Sequence, residues 1–285
     1  MSLFREIWAV SAMNFAALPS RTGASLVTVI GVATVVAVML SLLGIGEGVL
    51  HSVLSDQQPD RAIVVSSGAA QSMGAFSPAD VAQIAQAPGI KRDAAGRPMV
   101  QPGAYVIVEL ENKTGGTSNV PFSGSGEIGR EMNRRTFHMI AGRQFTPGLH
   151  ELIVGKAAQA RFKHLEVGDT VKLRATPWKV VGTFEDAGGV SESAILADAD
   201  TILAAFNRTS YQNVSVELDS PASFRKFKDA ITSNPQLQVT VKLLSQYYRD
   251  QLKPLTALLS FVGYFVGGVM AVGVVFGALN TMYSA

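Results

Sequence analysis

Several residue pairs in this chain have spacings that chemistry uses, and each lacks the partner the chemistry needs. His150-Glu151 is half of a zinc-hydrolase signature, in which two histidines four positions apart hold the metal while the glutamate activates water. The position that should carry the second histidine is Val154. Ser223-x-x-Lys226 has the spacing of a serine nucleophile and its lysine base, without the full set of motifs that accompanies that mechanism. On an amphipathic helix the same pair is simply part of the solvated face. Gly155-Lys156 is followed by Ala157, and no G-x-x-x-x-G-K-[ST] occurs, so the sequence contains no phosphate-binding P-loop. Ser125 stands between glycines but outside any G-x-S-x-G elbow. His51, His138, His150 and His164 are scattered, and with no cysteine there is no thiolate site, disulfide or sulfur nucleophile. Asn112-Lys-Thr, Asn207-Arg-Thr and Asn213-Val-Ser fit a permissive glycosylation pattern that decides nothing. The expectation is a non-catalytic protein with no cofactor and no metal.

The composition points to a different kind of work. Charged residues are 16% of the chain, against about 25% in an ordinary soluble domain, and the mean hydropathy is +0.24. The formal net charge of +2 and the lack of a basic stripe argue against a nucleic-acid partner. The apolar excess is concentrated at the two ends. Residues 22–46 carry no formal charge, and neither does the stretch after Lys253, residues 254–285. About 20 residues at 1.5 Å each cross a bilayer, and one charge at the centre would cost at least about 2.5 kcal/mol. Both stretches are therefore read as transmembrane helices. A cleaved signal peptide fits the first poorly, because its apolar core is too long and starts too late. The second contains Gly263-x-x-x-Gly267 and Gly273-x-x-x-Gly277, a spacing that lets helix backbones approach. These four glycines are candidate helix–helix contacts; glycine is also tolerated in membrane helices without such a role.

Residues 1–20 place Phe4, Ile7, Trp8, Met13 and Phe15 at roughly helical spacing, which reads as a cytoplasmic helix lying in the interface. Arg5 and Arg21 precede the first span, and no Lys or Arg occurs from Glu47 to Asp60, so the N-terminus is expected inside. Residues 47–252 then form one extracytoplasmic domain of mixed α and β structure. Arg61–Ser66 is a β-rich run. Ser77-Pro78-Ala79-Asp80 is a helix start with cap, proline and capping carboxylate, and Ala104–Leu110 is a strand. The pattern recurs as a strand at Asn213–Leu218, a helix carrying Phe224, Phe227 and Ile231, and a strand at Gln238–Leu243. Two such β-α-β units can pair into a single split sheet with helices on one face. The fold class is thus α+β: a split sheet with residues 111–207 inserted as an outer mixed α/β subdomain, flanked by two transmembrane helices. Within the insertion, Lys113–Ser118 and Phe122–Glu127 read as Gly/Ser-rich turns or mobile loops. Strands are expected at Glu151–Val154, Thr170–Arg174 and Trp178–Phe184, and helices near Lys156–His164 and Asp198–Phe206. A final helix from about Ser245 continues through Lys253-Pro254 into the membrane without a linker, as a lever.

In this order the pieces resemble the MacB/FtsX-type permease subunits of ATP-binding-cassette systems. Asn14-Phe15-x-x-Leu18-Pro-Ser-Arg21 followed by Leu26-x-Thr28-x-Ile30-Gly31-Val32-Ala33 is similar to that family's first membrane segment. Gly142-Arg143-x-Phe145, Glu151-x-x-Val154-Gly155, Phe162, Gly168-Asp169-x-Val171 and Trp178-Lys-Val-Val-Gly182-x-Phe184 resemble its extracytoplasmic core, and Val275–Met282 the end of its second span. The resemblance implies a multi-pass protein of the bacterial inner membrane, with a periplasmic domain moved by a separate P-loop ATPase subunit. The implied partners are that ATPase, a second permease copy forming a dimer, a periplasmic adaptor protein and the lipid bilayer. The implied export class is the macrolide, antimicrobial-peptide or lipoprotein type. The family continues past its second span with two further membrane helices, so the resemblance also implies that Ala285 is not its natural end. The competing reading is a two-span sensor or receptor with a ligand-binding outer domain; a membrane-anchored hydrolase ranks last.

Overall fold

Strand β1 (Arg61–Ser66) shows how the sheet is built, because its run Ala62-Ile63-Val64-Val65 is apolar on both faces. Strands that read this way are covered on both sides. The computed structural model describes residues 8, 22–54, 58–67, 75–133, 135–234 and 236–283, and in it both faces of β1 are covered. Ala62 and Val64 join a core with Ile84 of helix α2 (Pro78–Ala85) and with Phe227 and Ile231 of helix α6 (Ser223–Thr232). Ile63 and Val65 turn the other way, against Leu244, Tyr247 and Tyr248 at the start of the long helix α7 (Leu244–Tyr283).

The two β-α-β units interlock as the sequence predicts. β1 and β2 (Val100–Glu111) are separated by β9 (Asn213–Glu217), while β9 and β10 (Val239–Leu243) are separated by β1, giving the antiparallel order β10-β1-β9-β2. Helix α2 starts on the expected capping box: Ser77 N–H donates to Asp80 Oδ2 at 2.8 Å, and Asp80 N–H donates to Ser77 Oγ at 3.2 Å.

Strand β2 serves two sheets. Val100–Gly103 pairs with β9, and Ala104–Glu111 pairs with β3 (Thr117–Gly124). Buried Gln212 marks the changeover, its Oε1 accepting Tyr105 N–H at 2.6 Å and its N–H donating to Gly103 O at 2.9 Å. Beyond β3 the outer sheet runs through β8 (Ile195–Ala197) and β5 (Glu151–Gly155) to β7 (Thr176–Asp186). Two short strands share the far edge of β7: β6 (Thr170–Leu173) takes Thr176–Lys179, and β4 (Phe137–Gly142) takes Gly182–Asp186. Helices α3 (Glu127–Met132), α4 (Lys156–Arg161) and α5 (Ala199–Ala205) fill the connections. The outer core centres on Trp178, fully buried, with Phe122 edge-on at 5.0 Å.

Phe122–Glu127 is a correction to the sequence reading. It is not a mobile loop: Phe122–Gly124 is the end of β3, and Glu127 opens α3 after Gly126. Pairing with β2 and burial of Phe122 override a locally loop-like composition. Strands β4 and β8 also had no sequence signal. The proposed interfacial helix at 1–20 lies outside the described residues, apart from exposed Trp8.

Two compact units result. One comprises helix α1 (Thr22–Leu54) up to His51 together with α7 from Gln251; the other is Ser52–Asp250. Both long helices are apolar and long enough to cross a membrane, over Val29–Gly48 and within Leu244–Gly277. Pro254 lies inside α7, where the Thr256 hydroxyl donates to the Leu252 and Lys253 carbonyls at 3.2 and 3.1 Å.

Candidate functional sites: an ion-pair clamp and a helix pair

Several of the residues singled out between 111 and 207 meet in one structural knot. Arg143 reaches across a turn to Glu151 at the head of β5, with Nη1 donating to Oε2 at 2.7 Å and Nη2 to Oε1 at 2.5 Å. Thr146 N–H donates to the same carboxylate at 2.9 Å. Such two-point guanidinium–carboxylate pairs are strong and directional. The Arg143 hydrogen bonds pull the Glu151 carboxyl down to about 2, outweighing the opposing effect of its burial. Both Glu151 oxygens are engaged in this clamp, and the ring of His150 lies edge-on to Trp178 at 5.0 Å. Among the described residues no group of His, Asp and Glu could hold a metal.

Phe145, Ile153, Val181 and Phe184 pack into a small cluster beside the clamp. The β5–β7 ladder slips between Leu152 and Ile153, so β7 bulges at Val181. The bulge lets Trp178 and Val180 face the main core while Val181 and Phe184 face the cluster. Gly142, Gly155 and Gly182 are required by contact: a Cβ would stand 2.2 Å from Val181 O, 2.1 Å from Glu192 O and 2.3 Å from Arg143 O, respectively.

In the other unit, α1 and α7 pack as an antiparallel pair. Gly46 faces Leu259, Met39 faces Gly267, and Gly31 faces Val274, with approaches of 3.8, 3.1 and 3.9 Å measured from the glycine Cβ position. On α1 the less exposed residues are Gly31, Val35, Met39, Leu43 and Gly46, and on α7 they include Leu259, Gly263, Gly267, Met270 and Val274. Steps of three and four residues make this a continuous seam of the kind that supercoiled helices share. Gly263 and Gly267 lie buried on the seam; Gly273 and Gly277 are exposed, and a Cβ on either would meet nothing within 4 Å.

The sequence profile of the MacB-like periplasmic core domain matches residues 25–234. The chain belongs to that family. Among solved structures, the extracellular domain of the noncanonic ABC-type transporter YknZ from Gram-positive bacteria aligns at TM-score 0.50 and 14% identity, over 65% of this chain and 99% of that one. The periplasmic region of MacB from Actinobacillus actinomycetemcomitans aligns at TM-score 0.51 and 12% identity, over 70% of this chain and 95% of that one. No curated protein sequence is matched. The MacB-like domain is the extracytoplasmic part of ABC-type transporter permeases, a family of generally non-catalytic membrane subunits.

Against that family fold, Ser223 is a helix-start residue whose hydroxyl lies 3.1 Å from Ser220 Oγ. Lys156 sits at the start of α4, its Nζ 3.4 Å from Glu185 Oε2. What sequence reasoning missed was the Arg143–Glu151 bond itself. Its signal was present as an arginine and a glutamate at the two ends of a turn containing Pro147-Gly148.

Proposed function

We propose that this chain is a permease subunit of an ABC-type export system, in which a separate P-loop ATPase drives motion of the periplasmic core domain. The observation that carries this reading is the unbroken helix α7. Its first turn packs Leu244 and Tyr247 on Ile63 and Val65 of the inner sheet, and the same helix continues without a loop to Tyr283. A helix that runs on through Pro254 without a loop passes displacement along its axis, where a flexible linker would absorb it. The topology that suits this role puts the N-terminus in the cytoplasm, the helices in the bacterial inner membrane and residues 47–252 in the periplasm. Residues 111–207 would form the outermost part, available to an adaptor. The substrate would be of the macrolide, antimicrobial-peptide or lipoprotein type. A second permease copy would complete the transporter, and exposed Gly273 on α7 is a suitable place for a helix of that copy to approach.

The chain has no cysteine, so Val190→Cys places a single label on an exposed site of the outer domain. In the intact transporter the label's fluorescence should respond to ATP, and inserting a short Gly-Ser segment after Leu252 should abolish the response while the ATPase is still captured. Failure to capture any ATPase with the full-length gene product would refute the reading, and so would a response that survives the insertion.

A further inference from the structure

Among the described residues the outer sheet has an open edge. From Ala104 to Glu111, β2 pairs with β3 on one side only. Two bonds fix which groups face the other side: Tyr105 N–H donates to Gln212, and Glu111 C=O accepts Lys163 N–H at 3.0 Å. Backbone direction alternates along an antiparallel strand, so the N–H and C=O of Ile107 and Glu109 project to that same side. Among the described residues neither strand nor loop bonds them there.

Open edges are usually blunted by proline, a bulge or a covering loop. β4 carries a register shift between Met139 and Ala141, whereas β2 pairs with β3 residue for residue and leaves Ile107 59% exposed. Instead of a cover there is a groove of about 660 Å³, lined by Val106–Glu109, Leu173, Arg174 and the loop Phe206–Arg208. A site of this volume suits a small ligand or a short peptide stretch. Val106, Val108 and Leu173 are core residues with little surface in the groove, and the apolar surface it offers comes from Ile107 and half-buried Phe206. Its rim is cationic. Arg174 lies over the Phe206 ring at 5.7 Å and Arg208 is exposed, while the Glu109 carboxylate already accepts the Thr117 hydroxyl.

We propose that this groove receives an extended, acidic segment of a partner protein. The segment adds as a strand along Ile107–Glu109, sets alternate apolar side chains beside exposed Ile107, and presents carboxylates to Arg174 and Arg208. Backbone groups that need hydrogen bonds specify a strand, and the two guanidinium groups specify its charge. The inference does not depend on coupling to an ATPase, so it can fail while the transport reading stands, or the reverse.

The test uses the full chain in detergent with a synthetic peptide of about six residues alternating valine with aspartate or glutamate. Binding should slow hydrogen exchange at the Ile107 and Glu109 amides. The same peptide N-methylated on its edge-facing nitrogens should give no protection, and the Asn/Gln version should bind about tenfold more weakly, as should the acidic peptide to the Arg174→Glu, Arg208→Glu double variant. Ile107→Pro, which removes an N–H that makes no ladder bond, should abolish binding with the circular dichroism unchanged. Equal binding of the N-methylated or the neutral peptide would overturn the proposal. It would also be overturned by absence of binding, or by amides already protected in a concentration-dependent way, which would mean a second copy covers the edge.

Discussion

The outer sheet and the apolar helix pair both place glycine where two segments meet, yet the neighbours differ in kind. Around the Arg143–Glu151 clamp the atoms crowding a would-be Cβ are backbone oxygens: Val181 O, Glu192 O and Arg143 O, all within 2.3 Å. In the helix pair the nearest atom to Gly267 is Met39 Sδ at 3.1 Å, the far end of a side chain with three rotatable bonds. Main-chain oxygens belong to segments held by ladder and turn hydrogen bonds and cannot step aside; a thioether can. The outer sheet therefore demands glycine at fixed points, whereas the helices merely use its small size. Under the proposed function, this contrast would let the domain keep its shape while it is moved, with the apolar helices left free to repack.

Substitution at the clamp is the severest way to break that contrast. Gly142→Ala faces two obstacles, a left-handed backbone at φ +71 and the 2.2 Å approach to Val181 O. The conformational part costs about 1–2 kcal/mol and the overpacking about 1–3, so a loss of about 3–4 kcal/mol is expected in denaturant unfolding of the detergent-solubilised chain. A loss below about 1 kcal/mol would show that β4 yields as readily as a membrane helix. Gly155→Ala keeps an ordinary backbone conformation at φ −68 and meets only the clash with Glu192 O. It should cost less, about 2 kcal/mol.

Arg143→Ala leaves a mostly buried carboxylate with Thr146 as its remaining partner, and should lower stability near neutral pH by less than Gly142→Ala and Gly155→Ala do. Acid sharpens this test. The Glu151 carboxyl is held at about 2 in the folded chain against an ordinary 4.5, so its contribution is complete above 4.5 and fades as pH falls toward 2. The stability gap between wild type and Arg143→Ala should therefore narrow across that window. A gap independent of pH would mean that Arg143 acts through packing alone.

How legible these features were in the sequence follows from how local their causes are. The interlocked units β1-α2-β2 and β9-α6-β10 could be read in advance, because Ser77-Pro78-Ala79-Asp80 caps its own helix and Phe227 and Ile231 recur at helical spacing. The uncharged ends were legible for the same reason. Strand β3 was not: Thr-Ser-Asn-Val-Pro-Phe-Ser-Gly has little strand character of its own, and it is held by pairing with β2 and by burial of Phe122. Three-residue β8 exists only through its neighbours β3 and β5. The glycines of the clamp were visible as motif letters, but nothing local showed which carbonyl each would face. The open edge of β2 was hidden entirely, since the absence of a partner strand has no sequence signature.

The smallest expected effects lie in the helix pair and decide whether its glycines are used at all. Gly267→Ala places a methyl against Met39 Sδ, which can rotate away, so the cost should stay below about 1 kcal/mol. Gly273 has open space around its Cβ position, and Gly273→Leu should leave the α1–α7 seam and the unfolding midpoint unchanged. Two results are then informative in opposite directions. If Gly273→Leu leaves folding intact but weakens self-association of the full-length protein, measured by cross-linking in the bilayer, the exposed stripe of α7 serves a helix outside this pair. If association is untouched, the Gly273-x-x-x-Gly277 spacing reflects no more than the tolerance of membrane helices for glycine, and the close approach at Gly267 would be the working half of the pattern.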